Sequence, residues 1–261
     1  GIHEVFSFYY YFCRILINIE IQMETEETVK EGLVTASKAK SIWLAFVDIV
    51  LFAVLSMIFL FLFAIPFALV FPELKTEVGE TNIYFQMLNE VLMLVSGLIA
   101  ACMVLGFRKL PFSGLGLSLK GWGRSLLRGA LFVVFLYVVG FGLSLLLGAV
   151  EVVGFLFSPI SLLVSLLLYF FVAVTEEVIG RGFILGRMLD GGVNKFVALF
   201  ISAVLFSLMH LFNPNFAFVP FLNIMLAGCF LGASYIYTRN LCFPIALHWF
   251  WNWIQGSVLG Y

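Results

Sequence analysis

The side chains able to move protons in this chain lie in its most apolar stretches. Glu176, Glu177 and Arg181 fall within "AVTEEVIGRGF" (173–183), His210 within "LFSLMHLFNP", and His248 and Asn252 within "PIALHWFWNW". An ionisable group in a hydrocarbon interior costs at least a few kcal/mol and is usually kept because it performs a function. Glu177 and Arg181 are four residues apart on one helix face, so they can neutralise each other as a structural ion pair. Glu176 then points about 100° away from Glu177 and is free to face another helix. His248 and Asn252 share a face by the same four-residue spacing.

Elimination narrows the chemistry. The chain contains no HExxH, GxSG or GxGD motif, which removes the usual zinc-helix, serine and aspartyl signatures of intramembrane hydrolysis. Cys242 and His248 are six residues apart and face different ways on one helix, so they do not form a thiol–base pair. What remains is a carboxylate and two imidazoles around a water. A carboxylate in a low-dielectric site is a competent general base, and His210 could hold the same water. His248 and Asn252 could then donate hydrogen bonds to the oxyanion formed when water adds to an amide.

Those residues must be positioned by membrane helices. Of 261 residues, 63% are hydrophobic and 11% charged, against about 25% charged in a soluble domain. The expected fold class is therefore all-α, a polytopic membrane bundle of about seven to eight helices, each near 20 apolar residues. Seven segments qualify, at about 43–71, 84–107, 129–150, 159–187, 195–212, 216–238 and 240–259. No internal repeat is evident, which argues against a proton-coupled transporter built on inverted repeats. Counted from the basic residues at the segment ends, Glu176, His210, His248 and Asn252 lie roughly 13 to 22 Å deep. In a core about 30 Å thick they share the midplane region.

The remaining organisation is simpler. Lysines and arginines flank segment one and recur at 108–128, 187, 195 and 239, with only Lys75 opposite. The positive-inside rule places the N-terminus in the cytoplasm. Residues 1–22 read as a possible non-native leader and 23–42 as a cytoplasmic surface helix. Residues 43–158 supply the N-terminal spans, and 159–261 the catalytic core. A net charge of −1 gives no reason to invoke nucleic acid, and the four cysteines are read as small buried hydrophobes rather than a disulfide framework. Asp48, Glu90 and Glu151 are read as structural or interfacial. Gly228 and Gly232 form a GxxxG spacing suited to a close helix contact.

Three motifs carry a family resemblance: EExxxR (Glu176 to Arg181), FxxxH (Phe206 to His210) and HxxxN (His248 to Asn252), in that order and inside membrane helices. Over about residues 160 to 255 the chain resembles the CPBP family, which comprises CAAX prenyl endopeptidases of the Ras-converting-enzyme type and proteins of bacteriocin processing and self-immunity. The resemblance implies an integral membrane endopeptidase of the plasma membrane or endoplasmic reticulum, with a buried site open toward the cytoplasm. Its partners would be membrane lipids and a prenylated or otherwise membrane-associated peptide. Glu176 would activate water with help from His210, His248 and Asn252 would hold the oxyanion, and Glu177 and Arg181 would support the site. No cofactor is expected. The alternative is zinc on Glu176, His210 and His248, but Asn252 on the His248 face suits an oxyanion hole better than a coordination shell. A non-enzymatic scaffold or immunity factor stays open as the other reading. Gly180 departs from the family pattern, where an aromatic residue is usual, and is expected to leave more room beside the site.

Overall fold

The long apolar stretches are helical, and no strand occurs among the described residues. The computed structural model describes residues 2–70 and 82–260, and the side chains among them from residue 32 onward. The leader's side chains and most of the acidic loop containing Lys75 lie outside the described residues. The elements are α1 (Ile2–Val70), α2 (Ile83–Phe107), α3 (Trp122–Leu146), α4 (Pro159–Glu177), α5 (Gly186–Asp190), α6 (Lys195–Leu208), α7 (Phe218–Thr238) and α8 (Cys242–Trp253). The polar stretch at 23–42 is helical and runs without a break into the first span.

Five helical stretches are long and apolar enough to cross a membrane: Gly32–Val70, Ile83–Phe107, Trp122–Leu146, Pro159–Asp190 and Phe218–Thr238. The two other expected segments are helical but shorter. α6 has only 14 residues, because Pro214 cannot continue a helix and Asn215 turns the chain with a positive φ of 59°. α8 has 12 residues and is prolonged by a wider turn at Ile254–Val258.

Two helix starts are written in the sequence. The side chain of Asn82 accepts from the Tyr84 amide at 2.9 Å, and that of Asn194 accepts from the amides of Phe196 and Val197. Each satisfies backbone donors that have no partner within the helix. α4 lies between α2 and α8, α3 covers α8, and α6 pairs with α7. That last pairing depends on small residues. A Cβ at Gly228 would stand 3.0 Å from Ala203 Cα, and one at Gly232 would stand 2.6 Å from Leu199 Cδ1. The GxxxG spacing therefore does serve a close helix contact.

The basic end of the bundle is tied by a buried acid. Asp48 is fully buried and accepts from Arg108 Nε at 2.6 Å and Arg187 Nη2 at 2.8 Å. Arg239 pairs with Asp190 at the same end. Asp48 is thus structural, as its position suggested, but it has two partners that spacing alone does not reveal. Cys102, Cys229 and Cys242 are free thiols.

α4 does not stop as a simple α-helix. Residues Val178–Leu185 form a π-helical stretch, closed where the Gly186 amide bonds to Arg181 O five residues back. The widened backbone presses on its neighbours: a Cβ at Gly182 would lie 2.9 Å from Leu115 O. Such widened turns are rare and often mark functional positions. This one begins directly after Glu176 and Glu177.

Candidate functional site

The end of α4, the end of α6 and the middle of α8 converge. Glu176 Oε1 lies 3.8 Å from His210 Nε2, and its Oε2 lies 3.7 Å from His248 Nε2. The carboxylate therefore stands between two imidazoles, too far from either for a direct hydrogen bond. Glu176 Oε2 is buried and has no hydrogen-bond partner among the described residues.

Each ring is oriented by its other nitrogen. His210 Nδ1 lies 2.9 Å from Phe206 O. A carbonyl only accepts, so Nδ1 carries the proton, and the bond also satisfies an orphan carbonyl at the end of α6. In the neutral ring, Nε2 is then a bare acceptor aimed at Glu176. His248 Nδ1 lies 2.9 Å from Glu177 Oε1, the arrangement by which a carboxylate fixes a neighbouring imidazole.

Glu177 and Arg181 form the expected pair, with Arg181 Nη1 2.7 Å from Glu177 Oε1, both almost completely buried. Arg181 also donates to Gly228 O at 3.2 Å and lies over the Phe206 ring, its guanidinium carbon 4.1 Å from the centroid. Phe206 meets both histidines edge-on, at 5.0 Å from His210 and 6.1 Å from His248. One aromatic ring thus wedges the arginine and the two imidazoles apart. A Cβ added at Gly180 would rest at ordinary contact distance, 3.6 Å, from the Phe206 ring.

Asn252, one turn beyond His248, lines the same cavity as Glu176, His210 and His248. The cavity measures about 650 Å³ and is otherwise mostly apolar, with Asn223 and Gln255 as further polar wall residues. All four expected residues are therefore brought to one place. Spacing missed the link from Glu177 to His248, because those residues are 71 apart in the chain. It also missed Asn223 and Gln255, which have no motif around them.

Direction of opening separates two expectations. Besides Glu176 and Leu136, which lie near mid-length of their spans, the cavity is lined from the end of α6, from Asn223 to Leu231 of α7 and from Leu247 onward in α8. It therefore extends from mid-bundle toward the end remote from Arg108, Arg187 and Arg239. Placing those basic residues in the cytoplasm puts the cavity in the outer half, whereas the family resemblance implies a cytoplasmic opening.

The donors left free are two imidazole Nε2 atoms and one carboxylate, types that zinc accepts. Among the described residues, no group of three or more His, Cys, Asp or Glu side chains has an arrangement suited to hold a metal ion.

Residues 157–254 match the family model described as type II CAAX prenyl endopeptidase Rce1-like. No curated protein and no solved structure matches the chain. The matched region starts just before α4 and ends just past Asn252, so it contains every residue that meets at Glu176. By motif, geometry and family model together, the region 157–254 of this membrane protein is similar to the Rce1-like family of CAAX-type proteases.

Proposed function

We propose that the protein is an intramembrane endopeptidase that hydrolyses a peptide bond near the C-terminus of a lipidated or membrane-associated substrate, using water activated by Glu176. The observation that carries this reading is the Glu176 carboxylate between two imidazole Nε2 atoms, 3.7 and 3.8 Å away, at the wall of a 650 Å³ cavity.

In this reading a water donates one proton toward Glu176 and the other toward the bare Nε2 of His210. Glu176 takes the first proton as the water oxygen bonds to the substrate carbonyl carbon. Asn252 Nδ2 and His248 Nε2 donate to the oxyanion that forms. Donation from His248 Nε2 requires the doubly protonated ring, since Nδ1 already donates to Glu177. Its positive charge is then balanced by Glu176, because Glu177 and Arg181 cancel. The carbon–nitrogen bond breaks as Glu176 returns its proton to the leaving amine.

The test is cleavage of a farnesylated CAAX peptide by the purified protein, followed by mass spectrometry with and without a chelator. Release of the terminal tripeptide at an unchanged rate in chelator supports the reading. Cleavage abolished by chelator and restored by zinc overturns the metal-free mechanism. Loss of the assigned function in cells without any cleavage, on this or other membrane-anchored peptides, favours a scaffold.

A further inference from the structure

A second cavity, of about 510 Å³, lies between α1, α2 and α4. Gln86, Asn89 and Glu90 line it from α2, followed one turn later by Met93. These positions recur at helical spacing, so three hydrogen-bonding side chains form one stripe on a helix apolar enough to cross the membrane. Facing hydrocarbon, such a stripe would leave amide and carboxyl groups unsatisfied at a cost of kilocalories each. Facing water, it costs nothing of the kind.

The stripe leads toward the site. Val172 lines the cavity from α4, and Glu176 follows it by one helical turn on the same face. Glu90 is tied to α4, because Thr175 Oγ1 donates to its backbone carbonyl at 3.2 Å. Among the described residues, its side-chain Oε2 is buried without a hydrogen-bond partner, as is Glu176 Oε2. Glu90 is also within electrostatic reach of Glu176 and His248. One such carboxylate oxygen thus belongs to α2 and the other to the end of α4, each lining one of the two cavities.

We propose that the cavity between α1, α2 and α4 is the water inlet of the site, with Glu90 a positioning residue that holds the incoming water for Glu176. This rests on the proteolytic reading above. A peptide filling the larger cavity blocks the path by which bulk water reaches Glu176 from that side. Each turnover consumes one water, which adds its hydroxyl to the acyl carbon and its remaining proton to the leaving amine, so a second entrance keeps the base supplied.

Three variants and one labelling experiment test the inlet. Ala64→Trp fills the cavity, and Glu90→Leu removes the water-holding carboxyl; each should lower kcat while KM stays unchanged. Glu90→Gln, which can still hold water, should recover most of the lost kcat. Independently of activity, Met93→Cys should react with a water-dependent methanethiosulfonate reagent faster than Ile58→Cys, whose parent side chain is 53% exposed on the outer face of α1. Wild-type kcat in Ala64→Trp and Glu90→Leu, or equal labelling at 93 and 58, overturns the inlet. If Glu176→Gln also cleaves at the wild-type rate, the proteolytic reading itself has failed, which is a separate outcome.

Discussion

His248 Nδ1 lies 2.9 Å from Glu177 Oε1, while His248 Nε2 lies 3.7 Å from Glu176 Oε2. Adjacent carboxylates thus hold opposite edges of one ring, one as orienter and one facing the site. Glu177 is therefore more than the partner of Arg181. Replacing it with Gln keeps the shape but removes the charge that fixes the ring, so kcat should fall about 10- to 100-fold in steady-state assays, with a smaller change in KM. Equal kcat in the variant and the parent would show that His248 needs no such orientation.

Arg181 has the converse role. It is 1% exposed and compensates a fully buried Glu177. Removing one partner of a buried pair leaves an uncompensated charge at a cost of about 3–5 kcal/mol. Arg181→Met should therefore lower the unfolding temperature in detergent clearly, measured by tryptophan fluorescence. An unchanged transition would mean that the pair adds nothing to stability.

Asp48 makes the same argument far from the site. It accepts from both Arg108 and Arg187 while fully buried. Asp48→Asn leaves the buried Arg187 with only its longer, 3.7 Å contact to Asp190 and should destabilise by about 3 kcal/mol. The folded fraction should cleave normally. Loss of turnover at full stability would instead connect this end of the bundle to the chemistry.

Orientation is open to direct measurement. With Arg108, Arg187 and Arg239 in the cytoplasm, Asn223 at the cavity mouth belongs to the outer half. In a background without native cysteines, Asn223→Cys should react with an impermeant thiol reagent on intact cells, and Lys120→Cys only after permeabilisation. The reverse pattern would place the cavity toward the cytoplasm, as the family resemblance implies.

Much of this arrangement was legible in the sequence, for reasons visible in particular residues. Glu176 and Glu177 are adjacent, and Arg181, His248 and Asn252 sit at four-residue spacing, so helical periodicity alone assigns their faces. Apolar length marked the helices. Long-range pairing was not legible. Nothing in the neighbourhood of Glu177 announces His248, and nothing near Asp48 announces Arg108 or Arg187. The π-helical stretch after Glu177 was hidden for another reason. It packs against the Phe112–Leu115 turn, and no local residue pattern encodes that contact. Glu90 looked interfacial because it lies in the first half of α2, yet α2 packs along α4 and brings it toward Glu176.

Asn252 supplies a fourth test of the site. As an oxyanion donor its loss should be felt in the transition state, so Asn252→Ala should reduce kcat about 10²- to 10³-fold with little change in KM. A change confined to KM would make it a binding residue instead.

The most direct measurement compares single-turnover peptide cleavage by the wild-type protein and by Glu176→Gln, purified alike and equally folded. A carboxamide preserves shape but cannot take the proton of the attacking water, so the rate should fall at least about 100-fold. Cleavage at the wild-type rate would contradict the assignment of Glu176 as the base.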